Sequence, residues 1–334
     1  MNILVCGGAG YIGTHMVRRL LHAGHSPVVF DNLATGHRSA VECAFHGSPS
    51  GVRLITGDLL DTPALDAVFA SQKFDAVMHF AGLILVGESV TSPGKYYENN
   101  VTGTLNLLRA MKRHSVRNFV FSSTCAVFGV PKSIPIVEDL PMAPISPYGN
   151  TKLMVEMMLA DFANAHAFNC IALRYFNAAG ADPAGDIGED HDPESHLIPN
   201  AILAALGKAP ALQVFGDDYD TPDGTCQRDY VHVNDLADAH IAALDFLAAM
   251  PRQGGFEGFN LGTGKAASVL EIIRSVEMAG GCKVPYSFVS RRPGDPPILC
   301  ADPRKATEVL GWKPVYTDIV EIVKTAWNWH YKRR

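Results

Sequence analysis

Tyr148 and Lys152 stand four residues apart in Ser146-Pro147-Tyr148-Gly149-Asn150-Thr151-Lys152. On a helix this spacing stacks both side chains on one face, so an ammonium can sit beside a phenol and favour its ionised form. An ordinary phenol titrates near pH 10, and bringing it down by about three units takes roughly 4 kcal/mol of preferential phenolate stabilisation. A tyrosine treated in this way becomes a base that takes the proton of an alcohol while hydride leaves the same carbon. The spacing alone is a weak signal, because chance supplies such pairs in a chain of this size. The elements around it decide.

An apolar run at 3–6 leads into Gly7-Gly8-Ala9-Gly10-Tyr11-Ile12-Gly13, then helical periodicity over 11–23, a stop at Gly24 and a second apolar run at 27–30. This predicts β-α-β with a glycine fingerprint in its first turn, the context that dinucleotide binding requires. One glycine makes the turn, one admits the backbone to a pyrophosphate, and Gly13 lets helix and strand pack closely; the helix N-terminus attracts the phosphates. Asp31 ends the second strand, where a carboxylate accepts from both adenosine ribose hydroxyls and repels a 2′-phosphate. NAD is therefore the expected cofactor, in preference to NADP. Asp58 is placed for the adenine edge, with a helix cap as the competing reading.

Further strand-like runs at 52–56, 76–80, 118–122 and 170–175 alternate with helix-length segments at 62–71, 95–114 and 151–167. The alternation predicts an α/β fold, a Rossmann-type doubly wound parallel sheet. After Phe176 the rhythm gives way to loops, before a helix-like 234–248 and a strand-like 259–261. Residues 1–175 plus about 230–265 are expected to form the NAD-binding domain, and about 176–229 plus 266–334 a smaller, interleaved C-terminal substrate lobe.

With 334 residues, 47% of them hydrophobic, the chain can bury a large core. A net charge of −6 with interspersed charges offers no broad basic surface, so no nucleic-acid partner is expected. No apolar stretch reaches 18 residues and the first residues lack the features of a signal peptide, so no membrane partner and a cytoplasmic location are expected. Seven scattered cysteines without C-x-x-C spacing indicate neither a disulfide framework nor a zinc site, and no metal is expected.

Several further stretches complete a pattern: Asp31-Asn32-Leu33, Gly57-Asp58, His79-Phe80-Ala81-Gly82-Leu83, Val86-Gly87-Glu88-Ser89 and Ser122-Ser123-Thr124. Leu173-Arg174-Tyr175-Phe176-Asn177, Arg228-Asp229-Tyr230-Val231-His232-Val233, Asn260-Leu261-Gly262 and Arg291-Arg292-Pro293-Gly294-Asp295 extend it. With the glycine loop and the Tyr-Lys pair, they make the whole chain resemble the extended short-chain dehydrogenase/reductase family, and within it the enzymes that epimerise UDP-sugars at C4. The resemblance implies that Tyr148 removes the sugar 4-hydroxyl proton while the C4 hydride passes to NAD. The 4-keto sugar then turns over in the site and takes the hydride back on its other face, interconverting UDP-galactose and UDP-glucose. Lys152 would hold the nicotinamide ribose and lower the tyrosine pKa; Thr124 would hydrogen-bond the reacting hydroxyl, with a capping hydroxyl as the plainer reading.

Carried over residue by residue, the cofactor set is Gly7, Gly10, Tyr11, Ile12, Gly13, Asp31, Asn32, Asp58, Leu59, Phe80, Ala81, Gly82, Asn99, Ser122, Tyr148, Lys152 and Tyr175. The substrate set is Thr124, Tyr148, Asn177, His196, Leu197, Phe215, Arg228, Arg292, Asp295 and Leu299. In it Asn177, Arg228, Arg292 and the Leu197 backbone serve the diphosphate, Asp295 the uridine ribose, and Phe215 the uracil. Related 4,6-dehydratases place two acids after the threonine for elimination across C5 and C6; Cys125-Ala126 lacks them.

Ile84 replaces a lysine common in the family, His196 a frequent asparagine, and Leu299 a gate residue that is tyrosine in enzymes confined to UDP-glucose and UDP-galactose. Leucine is intermediate in size, so weak activity on N-acetylated sugars is expected. Apolar positions such as Leu105, Leu108, Met111, Leu153, Met157 and Leu159 recur at helical spacing in 95–114 and 151–167; the resemblance implies a homodimer through these two helices from each copy, while the pattern alone fits packing inside one chain equally well. The competing functions are a 4-epimerase for another UDP-sugar, either the N-acetylglucosamine or the xylose/arabinose pair, and a non-catalytic NAD-binding sensor, which has no need of Tyr148, Lys152 and Thr124 together.

Overall fold

A computed structural model describes residues 1–45, 51–250, 254–292 and 294–333; Pro293 of the shared motif lies outside the described residues. The chain divides into two compact units. The first comprises Met1–Gly129, Pro141–Arg174 and Ala237–Phe259, and the second Val130–Leu140, Tyr175–Leu236 and Asn260–Arg334.

The first half of the chain alternates as its pattern predicts: β1 (Asn2–Cys6), α1 (Tyr11–His22), β2 (Ser26–Asp31), α2 (Arg38–Ala44), β3 (Arg53–Thr56), α3 (Thr62–Ser71) and β4 (Ala76–His79). There follow α4 (Val86–Thr91), α5 (Pro93–Tyr96), α6 (Gly103–Arg113), β5 (Asn118–Thr124), α7 (Pro147–His166) and β6 (Asn169–Tyr175). Beyond lie β7 (Asn177–Ala179), α8 (Leu197–Ala205), β8 (Leu212–Phe215), β9 (Gln227–His232), α9 (Val233–Ala249) and β10 (Gly255–Leu261). The last elements are β11 (Ala266–Ser268), α10 (Val269–Gly280), β12 (Tyr286–Val289), β13 (Ile298–Leu299), α11 (Arg304–Leu310) and α12 (Ile319–Lys332).

The seven-stranded sheet runs β10-β6-β5-β4-β1-β2-β3. Strands β1 to β5 pair in parallel, with Cys6 level with both Phe30 and His79. Chain order reverses at β1, so the loops leaving β1, β2 and β4 emerge side by side at one sheet edge, where an open α/β sheet forms its ligand crevice. Leu4, Phe30, Val77, Phe119, Phe121, Leu107, Met111 and Leu159 fill the layer beneath the helices.

Two local readings change. The continuous periodicity of 95–114 hides a π-helical turn at Tyr97–Thr102 between α5 and α6; such widened turns recur at functional sites. Helix α7 starts one turn earlier than expected, because Ser146 Oγ accepts from Gly149 N at 3.1 Å and Pro147 takes the first helical position. The apolar residues assigned to a shared bundle also divide: Leu108, Met111 and Leu159 are core, whereas Met157 is 60% exposed.

The second unit collects short strands, with β9 joined by β7, β11 and β13, and β8 paired with β12. Its core is Ile202, Val214, Ile272, Val276, Val323 and Trp327 from α8, β8, α10 and α12. Residues 130–140, Tyr175, 230–236 and 260–265, expected in the nucleotide-binding domain, fall in this unit. Ile136 bridges to Ala301, and Asn260 binds both the Glu138 side chain and the Ile136 carbonyl.

The glycine loop separates two kinds of glycine. A Cβ on Gly13 would fall on the Gly7 carbonyl oxygen and 2.7 Å from Gly8 Cα. A Cβ on Gly10 would meet nothing closer than 3.6 Å, and its φ of −80° suits any residue. Gly13→Ala is expected to lose about 1–3 kcal/mol, seen as a lower midpoint in urea, while Gly10→Ala leaves that midpoint essentially in place.

Candidate active site

Since neither packing nor backbone conformation demands glycine at Gly10, the open space beside it is what a side chain would fill. Gly10 caps α1 without a side-chain hydrogen bond, so the amino end of the helix faces that space with its partial positive charge. Gly7, by contrast, needs its left-handed φ of 79° and closely approaches Phe80 and Ala81, holding the loops after β1 and β4 together. Tyr11 and Ile12 open α1.

Asp31 is buried, and its oxygens accept from Ala9 N at 2.9 Å and Leu33 N at 2.8 Å. Burial pushes the carboxyl up while these two N–H groups pull it down, and each oxygen keeps a lone pair for a further donor. The exposed Asn32 amide donates to Asp58 at 2.8 Å, and the other Asp58 oxygen accepts from Leu60 N. Leu59 is buried. The cradle fits a dinucleotide: a glycine turn that tolerates close approach, a helix N-terminus for phosphate and a carboxylate with spare acceptor capacity.

Thr124 ends β5, and its hydroxyl accepts from Ala126 N at 3.2 Å as Cys125–Phe128 turns away in a 3-10 coil. The same hydroxyl hydrogen-bonds Tyr148 and pulls its phenol down, against a burial that pushes it up to about 12. Lys152 donates to the Ser122 carbonyl at 2.7 Å, and its Nζ lies 4.8 Å from the Phe121 ring centroid and 5.9 Å from that of Tyr148. Shared helix spacing thus brings the ammonium near the phenol, and in this arrangement it is Thr124 that opposes the upward shift.

Two positioning groups escaped the sequence reading. Glu156, one turn beyond Lys152, accepts from Ser123 at 2.5 Å and forms a buried ion pair with Arg174 at 2.8 Å. Asn100, in the π-helical turn, binds Leu83 N and O and Thr151 Oγ1, and accepts from the expected Asn99. It thereby fixes the loop carrying Phe80, Ala81 and Gly82. A polar residue at a buried helical phase was the available signal in both cases.

The second unit gathers most of the expected substrate residues around β9. Arg228 contacts Asp295, Leu299 pairs in register with Arg228, and Asn177 pairs with Tyr230. Arg292 stacks 4.0 Å from the Phe215 ring centroid at the end of β8. Tyr175 is buried at the end of β6. His196 and Leu197 stand apart from these in the chain, at the start of α8, where His196 contacts Glu189.

Lys152 is only 4% exposed. Burial pushes its ammonium down to about 8, with the Glu156 carboxylate holding it up. Between pH 8 and 10 the folded protein sheds this proton while the unfolded chain keeps it, so Lys152 contributes a stability that rises with pH. Compared at each pH with Lys152→Met by urea unfolding, the wild type is expected to gain roughly 2–3 kcal/mol across that interval; a flat difference contradicts the assignment.

Residues 3–262 match the family model described as the NAD dependent epimerase/dehydratase family. A UDP-glucose 4-epimerase from Lactobacillus helveticus is 48% identical over 330 residues, covering 99% of this chain and 97% of that protein. Among solved structures, the UDP-glucose 4-epimerase of Brucella ovis in complex with NAD is similar at a TM-score of 0.92 and 49% identity, over 98% of this chain and 97% of that one. That of Bifidobacterium longum in complex with NAD+ and UDP gives a TM-score of 0.94 at 41% identity, over 99% and 98%. With its glycine cradle, its Thr-Tyr-Lys group and these likenesses over nearly its whole length, the chain belongs to the NAD-dependent epimerase/dehydratase family.

Proposed function

We propose that this protein interconverts UDP-galactose and UDP-glucose by inverting the sugar at C4. The observation that carries the reading is Thr124 hydrogen-bonded to Tyr148 at the end of β5, followed by Cys125 and Ala126 with no acid or base for elimination. NAD, when bound, supplies a hydride acceptor that later returns the hydride, and a cationic ring whose charge favours the phenolate. Gly7, Gly10 and Gly13 shape its pyrophosphate site, and Asp31 receives the adenosine ribose.

Tyr148 takes the 4-hydroxyl proton and gives it back after the keto sugar has turned. Thr124 orients the reacting oxygen and, by donating to the phenol oxygen, favours the base form. Lys152, fixed on the Ser122 carbonyl, supplies a nearby positive charge and a donor for the nicotinamide ribose. In the second unit, Arg228, Arg292, Asn177 and the start of α8 serve the diphosphate, Asp295 the uridine ribose and Phe215 the base. A guanidinium suits bidentate phosphate contact. Leu299, half-buried beside Arg228, sets the room left for the sugar.

The exposed Met154 and Met157 on α7 mark the face on which we place a second copy of the chain. Among the described residues no helix is long and apolar enough to cross a membrane, consistent with the cytoplasmic location we assign.

Purified protein is expected to convert UDP-galactose to UDP-glucose without added reductant, and Tyr148→Phe to lose roughly 10²- to 10⁴-fold in turnover, the usual range for a general acid–base. Wild type that binds NAD yet leaves UDP-galactose unchanged contradicts the reading. On the same assay UDP-N-acetylgalactosamine is expected to turn over weakly; equal efficiency on both sugars rejects Leu299 as a size gate.

A further inference from the structure

The second unit holds a cluster of side chains in the segment leading into α8, of which only His196 was expected near the substrate and none takes part in the proposed proton and hydride steps. Glu189, His191, Glu194 and His196 each present one ligand atom, and the four atoms lie within 4.8 Å of one another. His191 Nδ1 is 3.1 Å from Glu189 Oε1 and 3.8 Å from Glu194 Oε1. His196 Nδ1 contacts the same Glu189 oxygen and stands 4.0 Å from Glu194 Oε1. The two imidazoles are splayed at 72°, with ring centroids 5.4 Å apart, so each turns its Nδ1 edge to the carboxylates.

Two nitrogens and two oxygens around one centre are the donor set of a tetrahedral metal ion. With zinc–ligand bonds of about 2.0–2.2 Å, the donors of a regular tetrahedron lie roughly 3.4 Å apart. Three of the separations, 3.1, 3.8 and 4.0 Å, bracket that value, while His196 Nδ1 and Glu189 Oε1 are in direct contact and would move apart to admit an ion. Imidazole pairs suit zinc and its transition-metal neighbours, whereas calcium and magnesium call for shells of six or more oxygens.

The cluster is held from outside. Glu194 Oε1 accepts from Ser195 N at 2.7 Å and His196 N at 2.9 Å, while Trp329 on α12 donates to the Glu189 carbonyl at 2.9 Å. Glu189 is 3% exposed, and a carboxylate so buried needs compensating positive charge. A second observation points the same way. His330 of α12 is 9% exposed, its Nε2 has no hydrogen-bond partner, and it lies within electrostatic reach of both Glu189 and Glu194.

We propose that Glu189, His191, Glu194 and His196 bind a zinc-class transition-metal ion that pins the segment 189–196 between α12 and the start of α8. Four protein ligands leave no open coordination position, so the ion's role is structural. The spacing Glu-x-His-x-x-Glu-x-His is visible in the sequence, and the earlier expectation of no metal rested on cysteine spacing alone.

The test strips the full-length protein with a chelator, then titrates it with Zn²⁺ in competition with a chromophoric chelator, using Co²⁺ as an optical probe. One ion per chain is expected, with a tetrahedral cobalt spectrum and a thermal midpoint raised by zinc. Glu189→Gln and His191→Ala should each weaken binding by at least ~100-fold, the upper end of what outer-shell partners contribute. His22→Ala, at an exposed histidine of α1, should leave binding unchanged. Wild type that takes up no stoichiometric zinc or cobalt, or uptake indifferent to both ligand variants, overturns the proposal and leaves an imidazolium–carboxylate cluster.

Discussion

The buried pair of Glu156 and Arg174 is the contact on which the reactive end of the first unit depends. Glu156 comes from α7, Arg174 from β6, and Ser123, which donates to Glu156, from β5. Three elements therefore meet at one carboxylate. Losing either charge would leave the other buried alone, a penalty of about 3–5 kcal/mol. Removing both is a milder change, so the worth of the pair lies in register more than in net stability. It fixes the rotation of α7 against β5, and that rotation aims Tyr148 at Thr124 one helical turn away from Lys152. Gly258 belongs to the same device, since a Cβ there would lie 2.6 Å from the Arg174 guanidinium.

The sequence made the first unit legible because its strands are continuous apolar runs separated by amphipathic helices. Strands β1 to β6 fall within about two residues of where the runs place them, and α3 matches in full. The π-helical turn was invisible, because it preserves apolar content while shifting phase by one residue. In the second unit β7 and β13 are three and two residues long, too short to show periodicity. Their pairing is fixed by β9 and not by their own composition. Helix α10 was legible and passed over: Ser268 and Glu271 form a capping box ahead of Ile272, Ile273 and Val276.

For the site, the split between legible and hidden follows chemistry against support. Residues expected to meet a ligand carry motif signatures at a strand end or a helix start, so Gly10 and Asp31, and Tyr148 and Lys152 in the first turns of α7, could be named directly. Residues that hold those groups, such as Asn100, Glu156 and Ser123, are polar and buried; a polar residue at a buried helical phase marks Asn100 and Glu156 as unusual, but nothing local says which group each one holds. Arg228 and Asp295 lie between these cases. Each was named for a separate part of the substrate, yet the fold sets them against one another, so each neutralises the charge of the other within the protein. On the role proposed for Arg228, binding a diphosphate would exchange one of its partners for another, which reduces the desolvation cost of holding a guanidinium ready.

On the roles proposed for Tyr148 and Lys152, the electrostatics of the first unit explain why proton removal would need a bound cation. Burial pushes the Tyr148 phenol up to about 12 and the Lys152 ammonium down to about 8. Both shifts run against the charge state that the proposed proton transfer would ask of each group. Lys152 nonetheless stays largely protonated at neutral pH, because the Glu156 carboxylate opposes part of the desolvation. For Tyr148 the opposing pull comes from the Thr124 hydroxyl. A phenol at about 12 is a strong base that is almost never free at neutral pH, so a positive charge arriving beside it gains more phenolate than it loses in basicity. On the roles proposed above, burial, with Cys125 adding to it, keeps the tyrosine protonated until the cationic nicotinamide is present, which would couple proton removal to the presence of the hydride acceptor.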